Sequence, residues 1–162
     1  MSIRIDKKSD LYVYFYYHGL ALLRPYGVFC FINSNSWLDV GYGTGLQEFL
    51  LKNMEPIYVI DNLAKRTFAE SDVNTVIVTI KRPTFPDVIA RSEATEQSQL
   101  KFIAFKKPFE EVLKPDTLIK IDQTREKLFT DDYRVFPKIK IELLGEGVEM
   151  PEEGKEELYR AS

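Results

Sequence analysis

The segment Val28–Ile32 constrains the fold more than any other part of the chain. It is an unbroken run of apolar, β-branched and aromatic residues, preceded by Pro25-Tyr26-Gly27 and followed by Asn33-Ser34-Asn35-Ser36. A run this short, apolar on both faces and bounded by turn residues, predicts a central strand of a parallel sheet that is covered on both sides. Its carboxyl end opens into small polar residues, and open α/β sheets bind their ligands at that end of the strands.

The composition is that of an ordinary globular domain. The 162 residues are 44% hydrophobic with a net charge of -3, so the chain lacks the overall basic charge of a non-specific nucleic-acid-binding protein. Cys30 is the only cysteine and His18 the only histidine, so neither an internal disulfide nor a Cys/His zinc site can form. No apolar run approaches the roughly 20 residues of a membrane span, and the first residues do not resemble a signal peptide. We therefore expect a cytoplasmic protein with no membrane segment and no metal site.

A tyrosine-rich helix is predicted to precede the apolar segment. It begins at Leu11, with Ser9 or Asp10 at the N-cap, and Leu11, Phe15 and Leu22 fall on one of its faces. Four of the residues between positions 12 and 17 are tyrosines. This pattern indicates either that another domain covers the helix or that the rings line a site.

Two further strands are predicted at 56–61 and 73–81. The segment between them is too short for the usual crossover helix, so the two strands are expected to be antiparallel neighbours. A later extended segment contains Pro137, which suits an edge position, and residues 145–162 are acidic and expected to be poorly ordered. The other predicted elements are a helix at 46–53, a strand at 100–106, helical segments at 108–113 and 116–128, and the extended segment at 133–141.

The glycine-spaced turn at 41–45 has two interpretations. One is the phosphate-binding loop of a nucleotide-binding module. That fingerprint requires a strand directly before the first glycine and a further glycine three residues later, whereas the segment 37–40 intervenes here. The other interpretation is a flexible entry into the helix at 46–53.

The loop after the second strand carries Lys65 and Arg66 shortly before Phe68. Basic side chains next to an aromatic ring are typical of loops that contact nucleic-acid phosphates and stack on bases. Lys65 and Arg66 are therefore candidates for contact with a DNA backbone, although exposed Lys-Arg pairs are also common on solvated surfaces.

Three segments near the start of the chain form a recognisable pattern in their order and spacing. They are Ser9-Asp10-Leu11-Tyr12-Val13-Tyr14-Phe15, Leu22-Leu23-Arg24-Pro25-Tyr26-Gly27 and Phe31-Ile32-x-x-Asn35-Ser36-Trp37-Leu38. Together they resemble the second half of the catalytic domain of gamma-type adenine-specific DNA methyltransferases from type II restriction–modification systems. Segments at 73–78, 100–102 and 132–135 continue the likeness, which covers about residues 9–144. The resemblance implies an α/β fold that contains the late half of a Rossmann-like S-adenosylmethionine-dependent methyltransferase sheet and ends in an antiparallel strand pair.

The resemblance also implies roles for individual residues. Phe15 occupies the position of the aromatic side chain that lies against the adenine ring of the cofactor, S-adenosylmethionine. Phe68 occupies the position of the aromatic side chain that stacks on the flipped-out target adenine and recovers part of the lost stacking energy. Asn35 and Trp37 would support the rim of the active site.

Two motifs of the family are absent from these residues. They are the Phe-x-Gly-x-Gly cofactor loop and the Asn-Pro-Pro-Tyr motif, and Ser34 stands where a proline is usual. The expectation is therefore a fragment without its own catalytic residue, inactive alone and truncated before the target-recognition domain. Its residues 1–82 would be the late catalytic domain, 83–144 an extension toward target recognition and 145–162 a disordered tail.

The expected partners follow from the same resemblance. They are double-stranded DNA, bound through the complete enzyme, and the missing N-terminal half or another subunit, with self-association as a further option. The alternative function is a non-catalytic α/β interaction module that dimerises or pairs with another subunit. The nucleotide-binding module at 41–45 remains a third interpretation.

Overall fold

The fold is an α/β arrangement around one mixed, six-stranded sheet. The computed structural model describes residue 5 and residues 7–39, 41–64, 73–83 and 99–147. A 3-10 turn, Gly41–Gly43, precedes the third helix. In chain order the elements are α1 (Leu11–Leu22), β1 (Val28–Ser34), α2 (Ser36–Asp39), α3 (Thr44–Asn53), β2 (Glu55–Asn62), β3 (Thr75–Lys81), β4 (Gln99–Phe105), α4 (Phe109–Val112), α5 (Pro115–Gln123), β5 (Leu128–Phe129), β6 (Tyr133–Ile139) and α6 (Lys140–Gly147).

The strands follow one another across the sheet in the order β1-β3-β2-β4-β6-β5. β3 lies between β1 and β2 and is antiparallel to both, whereas β2 and β4 are parallel. β1, β2 and β4 therefore run in the same direction, and their carboxyl ends meet at one edge. The expected antiparallel pairing of the second and third strands is confirmed, and the mixed sheet is compatible with a Rossmann-like fold.

The prediction that the apolar segment forms a central, fully covered strand is wrong. Within the described part of the chain β1 pairs only with β3, and the pairing is antiparallel. Phe29 and Phe31 pack against the core, whereas Val28, Cys30 and Ile32 are exposed on the other face. An apolar run shows that both faces of a strand favour burial, but it does not show how many neighbours are present to provide that burial.

Helix α1 presents one apolar face to the core and another to solvent. Val13, Tyr16 and Leu20 are buried against the sheet. Leu11, Phe15 and Leu22, which were predicted to share one face of the helix, lie on its outward, exposed face. The helix is apolar all round, a pattern typical of a helix that is covered on both sides.

The two faces of the sheet are covered to different extents. On one face α1, α3 and α6 enclose a core that extends from β1 to β4. On the other face α4 and α5 cover β2, β4 and β6 but contribute nothing to the core at β1. The first core includes Tyr16, Trp37, Leu46, Leu50, Val78, Ile80 and Leu143, and the second includes Ile103, Phe105, Val112, Ile121 and Val135.

The later elements follow the predicted order with shifted ends. β6 ends at Ile139, where helix α6 begins, so the predicted extension to 141 is wrong. Pro137 pairs with Lys101 of β4, while the two-residue β5 pairs only with Val135 and Arg134. At Pro137 the strand β6 consequently has one neighbour among the described residues, as a proline requires.

Strands from both predicted segments, 1–82 and 83–144, belong to the same sheet. Helix α6 occupies the beginning of the segment expected to be disordered, and the prediction for residues 148–162 lies outside the described residues. None of the helices in the described part of the chain is both long and apolar enough to cross a membrane.

Candidate functional site

Polar residues cluster where β1 and β2 end. Asn33 is near the end of β1 and Asp61 near the end of β2, and both are register partners of Val76 in β3. Residues directly opposite one another in a sheet project from the same face. The two polar side chains thus lie on the α1 side of the sheet, two strand spacings or roughly 10 Å apart. This edge is the candidate site.

Asn33 is buried and tied to the first helix. Its side chain is only 7% exposed, and its Oδ1 accepts a hydrogen bond of 3.2 Å from the Tyr16 hydroxyl. Burial raises the pKa of Tyr16, so this hydroxyl remains a neutral donor. The Asn33 Nδ2 has no hydrogen-bond partner within the described part of the chain. The end of β1 therefore holds one amide donor that the described protein does not use.

A polar turn connects β1 to α2. The Ser36 amide donates to Oγ of Ser34 at 3.2 Å, and the two hydroxyl oxygens lie 2.7 Å apart. The Asn35 amide donates to the Asn74 carbonyl at 3.0 Å, which fixes the turn to the start of β3. Asn35, a predicted rim residue, is half-buried at this turn.

Trp37, the second predicted rim residue, lies beneath the turn rather than on its surface. It is 3% exposed, and its ring centroid is 5.7 Å from that of Tyr16. Its indole Nε1 has no partner among the residues that the structure describes. Trp37 therefore acts on the site through packing, by supporting the turn that carries Asn35.

The glycine turn packs against Trp37. A Cβ placed on Gly43 would lie 1.8 Å from the Trp37 carbonyl oxygen, so only glycine fits there. Gln47 donates to the same carbonyl through Nε2 at 2.7 Å. These contacts account for Gly43 through close packing, without a phosphate.

Two tyrosines connect this turn to the first helix. The hydroxyl oxygens of Tyr12 and Tyr42 lie 2.8 Å apart. Burial, and secondarily this hydrogen bond, raise the pKa of Tyr12. The pair fixes α1 to the segment that precedes α3.

Asp61 is a partly buried ionisable group of this edge. Burial raises its pKa, and the nearby carboxylate of Asp39 acts in the same direction, whereas a backbone hydrogen bond from Asn62 and the Arg134 guanidinium oppose them. Asp61 and Arg134 lie in the same row of the sheet, on either side of Ala104. No group of three His, Cys, Asp or Glu side chains that could hold a metal ion occurs within the described ranges. The edge offers amide, carboxyl and aromatic groups, which are suited to binding and orienting a polar ring.

The structure brings only part of the predicted site together. Asn35 and Trp37 share one turn, but Phe15 projects from the outward face of α1 with 56% of its surface exposed. The ring of the neighbouring Tyr16, rather than that of Phe15, packs against Trp37. The predicted positions of Phe68, Lys65 and Arg66 lie outside the described residues.

Three features of this edge were not predicted from the sequence. Asn33 is the first polar residue after the apolar run, and this position was the only feature of the sequence that could have identified it as a site residue. Asp61 ends a predicted strand, which places it at the sheet edge but does not indicate its burial. Tyr12 and Tyr42 are 30 residues apart, and no local pattern connects them.

The fold is α/β, and its mixed sheet is compatible with a Rossmann-like fold. The polar edge lies at the carboxyl ends of β1 and β2, which is where open α/β sheets bind their ligands. Residues 3–68 match the family model described as Eco57I restriction-modification methylase. The matched segment includes α1, β1, α2, α3 and β2. The match covers less than half of the chain and shows that this segment is similar to a restriction–modification methylase. A search among curated proteins found no significant match.

Proposed function

We propose that this chain is part of a site-specific DNA adenine-N6 methyltransferase of a restriction–modification system. The observation that carries the proposal is the family match over residues 3–68, which includes both strands whose ends form the polar edge. The chain contributes surfaces that position the cofactor and the target base. A segment with the Phe-x-Gly-x-Gly and Asn-Pro-Pro-Tyr motifs contributes the transfer chemistry, and the chain is inactive without it.

Phe15 is the proposed cofactor contact. Its exposed ring on the outward face of α1 offers the accessible aromatic surface that stacking on an adenine ring requires. S-adenosylmethionine, when bound, supplies the methyl group. Phe15 itself performs no chemistry, so it affects binding of the cofactor rather than the transfer step.

Phe68 is the proposed platform for the flipped adenine. A base that leaves the duplex loses its stacking, at a cost of a few kcal/mol, and a ring that stacks on it recovers part of this energy. Lys65 and Arg66 would contact the phosphates beside the flipped base and hold the strand in position.

The Asn35 turn is the proposed rim. An asparagine amide presents one donor and one acceptor, which match the N6 and N7 edge of adenine. The backbone bond from Asn35 to Asn74 and the packing of Trp37 beneath the turn hold the backbone that carries this amide at the edge of the sheet. A backbone that is already ordered lowers the entropy lost when the side chain binds a base.

The first experiment tests whether the chain works with a companion segment. The DNA that flanks the coding sequence is searched for a reading frame with both motifs, and that polypeptide is mixed with this chain, tritiated S-adenosylmethionine and unmethylated DNA. We expect N6-methyladenine in the digested product only when both polypeptides are present. Methylcytosine as the product would contradict the proposal. Calorimetric binding of S-adenosylmethionine to this chain alone, at micromolar affinity, would contradict the proposal that the chain needs a companion segment.

Matched variants then test the two aromatic roles in the reconstituted enzyme. Phe68→Ala is expected to lower the rate of methylation at least tenfold, whereas Phe129→Ala, an exposed ring on β5, leaves the rate unchanged. Phe15→Ala is expected to raise KM for S-adenosylmethionine with little change in kcat, and Tyr14→Ala on the same helix serves as its control. Equal effects of test and control variants would remove the proposed roles.

A further inference from the structure

Arg134 is a half-buried cation whose donors are not used by the described part of the protein. Its Nε is buried without a partner, and its guanidinium forms no hydrogen bond or ion pair with the described residues. By contrast, the guanidinium groups of Arg82 and Arg125 donate hydrogen bonds to backbone carbonyl oxygens. A guanidinium carries five N–H donors, and a buried donor without an acceptor is costly. The donors of Arg134 are therefore available to a ligand.

Arg134 lies at the same edge of the sheet as the candidate site. It is the register partner of Ala104 near the end of β4, and Ala104 is the register partner of Asp61 near the end of β2. Register partners project from the same face, so Arg134 shares the face and the edge of Asp61 and Asn33. Counted in strand spacings, its Cα is about 10 Å from that of Asp61 and about 19 Å from that of Asn33.

Phe136 restrains the position of the guanidinium. Cζ of Arg134 lies 5.6 Å from the centroid of the Phe136 ring, and Phe136 is buried. A cation–π contact attracts the side chain but gives its N–H groups no oxygen acceptor. A ligand therefore meets a donor group that is already ordered, and less side-chain entropy is lost on binding.

The carboxylates around Arg134 offset its charge only in part. Asp61 lies close enough for the guanidinium to favour its charged form, although no ion pair joins these two described side chains. Asp132, in the turn before β6, forms an ion pair of 2.5 Å with Lys107 instead. Asp131 of the same turn is exposed, where dissolved salt screens its charge. An anion is therefore the class of ligand that the guanidinium favours.

We infer that Arg134 binds a phosphate of the DNA strand that enters the candidate site. The contact rests on the proposed function, which supplies DNA as the partner. An arginine fork matches two oxygens of a phosphate group, and such contacts position DNA without reading its sequence. One strand of B-form DNA rises 3.4 Å per nucleotide, so the separation of Arg134 and Asn33 corresponds to about five or six nucleotides. The contacted phosphate thus lies several nucleotides from the target adenine.

Nuclear magnetic resonance of the full chain tests the contact directly. The Nε–H resonance of Arg134 is assigned by its loss in Arg134→Lys, and a short DNA duplex is then added to the parent chain. We expect this resonance to shift with DNA, and also with inorganic phosphate at higher concentration, while that of Arg125 stays in place. A shift with S-adenosylmethionine but not with DNA would assign the guanidinium to a carboxylate and overturn the inference. The absence of a shift with all three ligands would overturn it as well.

Salt titration of DNA binding to the full chain provides the quantitative test. Loss of one phosphate contact lowers the slope of log K against log salt concentration by about 0.9. Arg134→Gln should show this decrease and weaken binding about tenfold at low salt. Arg125→Gln is the charge-matched control, because Arg125 is exposed beside the start of β4, and it should change neither quantity. Equal effects of the two variants would show that net charge alone is responsible and would overturn the inference.

Protein stability separates a DNA contact from a structural role. Arg134→Lys keeps the positive charge beside Asp61, so its thermal midpoint should stay within about 2 °C of the parent value. The same variant should weaken DNA binding, because an ammonium group cannot reproduce the planar, two-pronged contact of a guanidinium. A large loss of thermal stability with unchanged DNA binding would show a structural role and overturn the inference.

The enzyme reconstituted with its companion segment distinguishes failure of this contact from failure of the proposed function. Methylphosphonates, which remove the charge of single phosphates, are placed one at a time along the target strand. At one position several nucleotides from the adenine, the substitution should raise KM for DNA about tenfold in the parent but not further in Arg134→Gln, with kcat unchanged in both. Methylation that is insensitive to every such position would overturn the contact and leave the proposed function intact. Without any methylation the proposed function fails, and the Nε–H resonance alone decides for or against the contact.

Discussion

The Tyr16 hydroxyl donates a hydrogen bond to Oδ1 of Asn33, and both side chains are buried. The bond joins the centre of α1 to the carboxyl end of β1, where the candidate site begins. Asn33 is one of two polar residues that are buried in the described part of the chain. A buried polar group is costly unless it is paired, so this contact helps to determine how α1 sits on the sheet.

Tyr16→Phe should destabilise the protein. The substitution keeps the ring and its packing but leaves Oδ1 of Asn33 buried without its donor, at a cost of about 1–3 kcal/mol. Urea unfolding measures the change. Tyr14→Phe is the matched control, since Tyr14 is exposed on the same helix, and it should change the unfolding free energy by less than about 0.5 kcal/mol. Equal losses would show that the hydrogen bond to Asn33 is not the cause.

Two glycines of the same turn should respond differently to alanine. At Gly43 a Cβ would overlap the Trp37 carbonyl oxygen, whereas at Gly41 nothing lies within 4 Å. Overpacking of this kind costs about 1–3 kcal/mol, so Gly43→Ala should lower the thermal midpoint, while Gly41→Ala should be close to neutral. A nucleotide phosphate bound by this turn would protect the parent protein against heat. No such protection is expected, and its observation would revive the nucleotide-binding interpretation.

Lys101 should be important for stability although it is charged. Its side chain is 4% exposed, and its Nζ donates to the carbonyl oxygens of Ile121, at 3.2 Å, and Asp122 at the end of α5. Helix carboxyl ends attract positive charge. Lys101→Met removes these bonds and should cost about 1–3 kcal/mol in urea unfolding. Lys120→Met, at an exposed position of the same helix, is the control and should cost little.

Local sequence patterns predicted the helices and strands better than they predicted which of these elements pack or pair with one another. The helix from Leu11, the antiparallel strands β2 and β3, and the short helix after Pro108 occur where their local patterns indicate. Asp10 occupies the N-cap of α1, although its side chain makes no capping bond. These features depend on residues close together in the chain, which is why local patterns identify them.

The position of β1 at the edge of the sheet could not be predicted in this way. An apolar strand is equally apolar whether its second neighbour is present or not. The same limit applies to the candidate site, because the burial of Asn33 depends on Tyr16, which lies on a separate helix. The contact between Tyr12 and Tyr42 likewise depends on the packing of α1 against the glycine turn.

Asp61 gives the stability of the protein a pH dependence with a defined sign. Burial raises its pKa in the folded state above the value of about 3.9 for an unfolded aspartate. The folded state therefore binds this proton more tightly, and its contribution to stability is complete below about pH 4 and lost as the pH rises through the folded pKa. The free energy of unfolding attributable to Asp61 should decrease over that interval.

Asp61→Asn should remove this contribution to the pH dependence. The amide stays neutral at every pH, whereas the buried Asp61 carboxyl group of the parent becomes charged. The variant should therefore gain stability relative to the parent as the pH rises from 4 to 8. The Arg134 guanidinium, which favours the charged carboxylate, limits the gain. Urea unfolding at several pH values measures the difference, with Asp131→Asn as an exposed control that should follow the parent. A stability difference between Asp61→Asn and the parent that stays constant with pH would show that Asp61 does not titrate with a raised pKa.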